Sequence, residues 1–210
     1  MVKLARRLHL KMKKEVNALC IVAHPDDELI WMGGTILNHP NWNWTIISLC
    51  RKDDPDRMPK FVQACKHYRA KCIIGDLDDE KLNHLSSNSV SRKIKSLLPS
   101  TNYDFIFTHG ANGEYGHLRH KEIHKAVKKL ISQGDLTCKK AYYFSYIPGD
   151  KVAPHNPELR IPIPNKSADL YVQLNNSKYS EKIKLITKLY GFKENIFETL
   201  SCNKGEAFVS

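Results

Sequence analysis

Short apolar runs along this chain alternate with longer segments whose apolar residues recur at three- and four-residue spacing. That alternation is the mark of βαβ units and a parallel sheet. Ala18 to Ala23 reads as a first strand and Leu29 to Asn38 as the helix after it. Trp44 to Cys50 reads as a second strand, Asp56 to Arg69 as a helix, and Lys71 to Gly75 as a third strand. Ser89 to Leu98 is a helix stopped by Pro99, and Tyr103 to Thr108 is a fourth strand that ends in polar residues. Leu118 to Ser132 is helical by spacing, with Ile123, Val127, Leu130 and Ile131 on one face. Later strands are expected at Ala141 to Ile147 and Leu170 to Leu174, and a helix at Tyr179 to Tyr190. Pro148 to Pro164, with five prolines, reads as a long loop.

The pattern predicts an α/β fold: a single-domain, Rossmann-like, open and mostly parallel sheet flanked by helices. In such a sheet, ligands bind outside the C-terminal ends of the strands. Its 210 residues are enough for one sizeable core, so residues 15–210 are expected to form one catalytic domain behind a basic segment, 1–14. No uncharged apolar stretch reaches the roughly 18 residues of a membrane span. No apolar segment of signal-peptide type follows the basic start. The six cysteines contain no Cys-x-x-Cys pair, and several sit in apolar runs, which points to a reducing, cytoplasmic setting. The net charge of +11 changes the picture in one respect. It favours an anionic partner, either a phospho- or nucleotide-linked substrate or an anionic surface. Nucleic acid is not the expected partner, because no recognised binding motif accompanies the charge.

The chemistry begins where the first strand stops. Ala23-His24-Pro25-Asp26-Asp27-Glu28 places one imidazole and three carboxylates at a strand end, where a turn needs at most one acid. Such side chains repel one another unless a cation sits among them. After the fourth strand comes a glycine-rich stretch with His109, Gly110, Gly113 and Gly116, then His117, His120 and His124. His117 and His120 are i, i+3 and His120 and His124 are i, i+4, so each pair shares a helix face. Both clusters follow parallel strands and therefore share one sheet edge. Together they can offer a metal two histidines and one carboxylate with a coordination position left open, as catalytic zinc sites do. A spare carboxylate and a spare histidine remain for acid–base work.

These residues resemble the PIG-L/LmbE-like zinc-dependent de-N-acetylases, which remove acetyl groups from N-acetylglucosamine units of glycoconjugates. The family's first motif stands here as Ala23 to Glu28, followed by Gly33-Gly34-Thr35, and its second as Gly116, His117 and His120. Weaker echoes are Arg57, Gly75 to Asp79, and Glu206-Ala207-Phe208. The resemblance implies Zn2+ as cofactor, held by His24, Asp27 and His120. It implies Asp26 as general base, and His117 as acid or oxyanion partner, acting protonated. The implied substrate is an N-acetylated sugar conjugate, and an anionic one fits the net charge. Glu28 is expected to turn toward the helix N-terminus. Leu118 and Arg119 depart from the family's usual pair between the histidines. Arg119 is therefore a candidate substrate contact, along with Arg57 and His109, while His124 is the alternative ligand to His120. A zinc-dependent hydratase, or another hydrolase of the same fold, is the alternative reaction. A nucleic-acid or anionic-surface binding module is a further one.

Overall fold

In this computed structural model the residues described are 15–154 and 156–210, so the expected basic segment 1–14 lies outside them. In chain order the elements are β1 (Asn17–Val22), α1 (Asp27–Asn38), β2 (Asn43–Ser48), α2 (Arg57–Tyr68), β3 (Lys71–Ile74), α3 (Ser87–Leu97) and β4 (Asn102–Thr108). There follow α4 (Gly113–Gly116), α5 (Leu118–Ser132), β5 (Thr137–Phe144), β6 (Tyr146–Ala153), β7 (Asn156–Pro164) and β8 (Leu170–Gln173). Last come α6 (Asn176–Lys184), which runs into a π-helical turn at Leu185–Leu189, then α7 (Phe197–Ser201) and β9 (Gly205–Val209).

Seven strands form one sheet in the order β3-β2-β1-β4-β5-β9-β8. The pairs from β3 through to β5 are parallel, and β9 is antiparallel to both β5 and β8. The fold is therefore the α/β class with a mostly parallel sheet that the periodicity predicts. Strand order turns at β1, which pairs with β2 on one side and β4 on the other. That is the switch point where such sheets open a crevice.

Both faces of β1 are buried, which is why its sequence is an unbroken apolar run rather than an alternating one. Ala18, Cys20 and Val22 pack with residues of α1, α2 and the π turn. Leu19, Ile21 and Ala23 pack on the other face with Val90 and Ile94 of α3 and Ile123, Val127 and Leu130 of α5.

The expected strand Ala141 to Ile147 is divided at Ser145 between β5 and β6, which belong to different sheets, and two further features differ from the periodicity. Pro148 to Pro164 is not a loop but the larger part of an antiparallel β6–β7 hairpin, with Ile147 opposite Ile163 and Pro148 opposite Pro162. In a two-stranded ribbon each strand has a free edge, so proline's missing N–H costs no ladder bond. The second is β9, a short strand at the C-terminal end that sits between β5 and β8. It explains Gly33-Gly34-Thr35. Helix α1 kinks at Met32, which has φ −148°. The N–H groups of Gly34 and Thr35 donate to Glu206 of β9 at 2.7 Å each. A Cβ on Gly34 would lie 2.3 Å from Leu174, so only glycine lets the helix come this close.

Candidate active site

Strands β1 and β4 end side by side, and the Ala23 N–H donates to Nε2 of His109 at 2.9 Å. Three donor atoms converge above this junction. Nδ1 of His24 lies 3.1 Å from Oδ2 of Asp27, Nε2 of His120 lies 3.3 Å from the same oxygen, and the two nitrogens are 3.4 Å apart. Donors about 2.0–2.1 Å from a tetrahedral zinc stand about 3.3 Å from one another. The triangle therefore has the edge length of one face of such a site, and the donor set, two imidazoles and a carboxylate, suits zinc.

Other groupings of possible ligands, within 4.8 Å of one another, surround this one. Asp27 with His109 and His120 is one, but the lone pair on Nε2 of His109 is already taken by the Ala23 N–H. His24 with Cys50 and Asp79 is another, in which burial pushes the Cys50 thiol far up and so disfavours its thiolate. His24, His117 and His120 form the third.

Asp27 is held for its position. Trp31, one helical turn on, donates its indole N–H to Oδ1 at 2.8 Å, and the His24 backbone N–H donates to Oδ2 at 2.8 Å. Burial opposes ionisation of Asp27, but the charges and hydrogen bonds of His120 and His24 together outweigh it and the carboxyl sits well below the usual range. Burial likewise opposes charge on His24, yet hydrogen bonds to Asp27 and Asp79 raise it to about 9. For His120 burial is overcome by the charges of Asp27 and Glu114 and its hydrogen bonds to both, which together raise it to about 10. Without a cation, the two imidazoliums stand in for one.

Asp26 sits just before α1 with φ 115°, a region that favours glycine. Its side chain does not cap the helix; it forms an ion pair with Nη1 of Arg57. Burial, then repulsion from Asp27, raises its pKa to about 7 despite Arg57. Glu28 turns back, as expected: it accepts from the Asp26 N–H at 3.0 Å and from the Tyr190 hydroxyl at 2.7 Å. Burial raises Glu28 to about 8. His117 faces the cluster with its ring 4.8 Å from that of His24, and its buried Nδ1 has no hydrogen-bond partner. Burial, then the charges of His120 and His24, lowers it to about 3. Burial and these two charges thus disfavour the protonated form that the sequence reading expects of His117.

Three sequence candidates stand elsewhere. His109 is fully buried behind His120, stacked ring on ring at 3.8 Å, and does not line the cleft. Arg119 is also fully buried and points away. Its guanidinium binds the carbonyl oxygens of Asp78 and Asn83 and the carboxylates of Asp78 and Glu122, so it clamps a loop rather than meeting a substrate. His124 donates its Nδ1 to the His109 carbonyl at 2.9 Å, and among the described residues no grouping of possible ligands includes it. Arg57 does line the cleft, with Arg51, Asp79, Tyr115, Phe197 and Glu198. Sequence reasoning gave Asp79, whose Oδ1 is 3.0 Å from Nε2 of His24, only as the end of a weak family echo without a role, and missed Trp31. The i, i+4 spacing of Asp27 and Trp31 was the available signal for the latter.

A family model described as GlcNAc-PI de-N-acetylase matches residues 19–131, which spans both clusters. The uncharacterized protein L374 of Acanthamoeba polyphaga mimivirus is 29% identical over 129 residues, 53% of this chain. The chain thus spans little more than half, 56%, of the length of the curated relative it matches. The N,N'-diacetylchitobiose deacetylase of Pyrococcus horikoshii superposes with a TM-score of 0.64 at 16% identity, covering 93% of this chain and 84% of that one. The 4-carboxy-2-hydroxymuconate hydratase GalB of Pseudomonas putida gives 0.59 at 16% identity, covering 89% and 83%. At these identities the structural likeness is one of fold. Among the described residues no helix is long and apolar enough to cross a membrane.

Proposed function

Because the chain belongs to the PIG-L family of GlcNAc-PI de-N-acetylases, we propose that it is a zinc-dependent hydrolase that removes the acetyl group from an N-acetylglucosamine-type sugar conjugate. We take residues 15–210 as the catalytic unit. The observation that carries the reading is the triangle of Nδ1 of His24, Oδ2 of Asp27 and Nε2 of His120, with edges of 3.1 to 3.4 Å. These three residues would hold the zinc. When bound, zinc supplies a Lewis acid that polarises the amide carbonyl and acidifies water near pH 7.

Asp26 takes the proton of the attacking water as the C–O bond forms. With a pKa raised to about 7, the same carboxyl can then return that proton to the nitrogen as the C–N bond breaks. A nearby dication lowers this value, so the base form prevails before reaction. Neutral His117 donates an N–H to the developing oxyanion, which makes it the oxyanion partner and leaves the acid role to Asp26. The products are acetate and the free amine.

The cleft, about 170 Å³, is smaller than the roughly 300–1,000 Å³ that holds a drug-sized ligand. It suits one sugar ring with the rest of the conjugate outside. Tyr115 and Phe197 offer that ring an apolar wall, and the preference for an anionic conjugate rests on the net charge of +11, since Arg51 and Arg57 in the cleft are paired with carboxylates. The six free cysteines agree with the reducing, cytoplasmic setting proposed for it.

Acetate release from lipid-, nucleotide- and thiol-linked N-acetylglucosamine, with and without chelator, tests the reading. Release should stop on chelation and return with zinc, and Asp26→Ala should lower kcat about 10²–10⁴-fold. Unchanged turnover in either case overturns it. Because a hydratase shares the fold, water addition to an enol acid without acetate release would favour that reaction instead.

A further inference from the structure

We propose that Glu114 is the positioning residue that makes His120 a metal ligand and ties it to the loop carrying His24; this rests on the ligand assignment above. Glu114 is fully buried beneath the cluster. Its Oε2 lies 2.6 Å from Nδ1 of His120 and 2.8 Å from Nδ1 of His109, and its Oε1 accepts the Gly110 N–H at 2.7 Å.

The proton positions follow by elimination. Nε2 of His109 accepts from the Ala23 N–H, so the proton of this imidazole is on Nδ1 and is donated to Glu114. An ionised carboxylate only accepts, so Nδ1 of His120 must donate as well. That leaves Nε2 of His120 as the atom available to a cation, and it is the atom that faces Oδ2 of Asp27 and Nδ1 of His24. Carboxylate partners of this kind fix the tautomer and ring orientation of metal-bound histidines. The network also spans the two halves of the site. It runs from Ala23, next to His24, through His109 and Glu114 to His120 at the start of α5.

The backbone shows that this residue is held in place against its own preference. Glu114 has φ 57° and ψ −57°, close to the rare and strained γ-turn region, between Gly113 at φ 67° and Gly116 at φ 97°. Such outliers persist only where surrounding contacts over-determine them. Here three hydrogen-bond donors converge on one carboxylate.

The test is zinc affinity, measured by competition with a chromogenic chelator, with no turnover involved. The wild-type protein should bind one zinc. Glu114→Gln should weaken that binding roughly 10- to 100-fold. Glu114→Gly should do the same, and it provides a variant whose backbone is at ease at φ 57°, should the first fail to fold. In ¹⁵N-resolved NMR of the zinc-loaded wild type, His120 should carry its proton on Nδ1, and Glu114→Gln should lose that protected signal. Affinity unchanged in a folded variant, or His120 protonated on Nε2, overturns this inference while one bound zinc leaves the proposed function standing. A wild-type protein that takes up no zinc overturns both.

Discussion

Arg57 forms an ion pair with the carboxylate of Asp26 and rests its guanidinium 4.4 Å from the centre of the Phe192 ring. The pair joins the start of α2 to the residue just before α1, whose φ is 115°. Of the groups around Asp26, Arg57 is the one that most lowers its pKa. Replacing Arg57 by Met removes that positive charge and raises the Asp26 pKa above its present value of about 7. The base is then protonated up to a higher pH, so the acidic limb of the kcat profile should move upward, by roughly 1–3 units for a close Arg–Asp pair. A profile measured from pH 5 to 9 decides this, and a limb that stays in place or moves down contradicts the assignment of Asp26.

Zinc should compete with protons. In the metal-free protein His24 and His120 titrate at about 9 and about 10, so both are charged at pH 7. Binding must then release about two protons, and affinity should rise roughly 100-fold per pH unit between pH 7 and 9. Calorimetry in buffers of different ionisation enthalpy counts the released protons. A count near zero would mean that these histidines are not the ligands.

Bound zinc should also stabilise the fold, because it binds the native site and not the unfolded chain. At a free concentration a thousandfold above Kd the gain is about 4 kcal/mol. A rise of Tm with zinc that persists undiminished in His120→Ala would place the metal elsewhere.

Glu206 and Lys182 form a fully buried ion pair at 2.7 Å, and Glu206 also holds the kinked α1 through Gly34 and Thr35. Glu206→Gln leaves the Lys182 charge buried without its partner, at a cost of about 3–5 kcal/mol. Combining it with Lys182→Met should recover part of that loss. Urea unfolding midpoints of the single and double variants test the coupling, and additive losses would argue against it.

Arg119 offers a contrasting case. Arg119→Ala removes the arginine charge from the buried Glu122 carboxylate, which keeps only the Leu85 N–H and His84, and frees the segment around Asp78 and Asn83, so about 3–5 kcal/mol of stability should be lost. If Arg119 instead bound substrate, KM would rise with stability intact. Unfolding curves beside steady-state kinetics separate the two.

The sequence by itself determined the sheet-and-helix alternation, because periods of 2 and 3.6 are local and survive without knowledge of partners. It also determined that two clusters of possible metal ligands lie at one sheet edge, since parallel strands point their ends the same way. It could not determine what each neighbouring side chain meets. On α5, adjacent residues point about 100° apart, so with His120 turned to the cleft, Arg119 is carried round to the Asp78–Asn83 loop. His124 shares the face of His120 but stands about 6 Å further along the axis, where its Nδ1 meets the His109 carbonyl. Glu114 and Glu206 were legible only as an acid in a glycine-rich loop and an acid in a short terminal run. Each acquired its role from donors brought to it by close packing, the latter across more than 170 residues of chain. Local pattern sets the elements; which buried polar group faces which is decided by the three-dimensional packing, where an unpartnered donor or acceptor is too costly to leave.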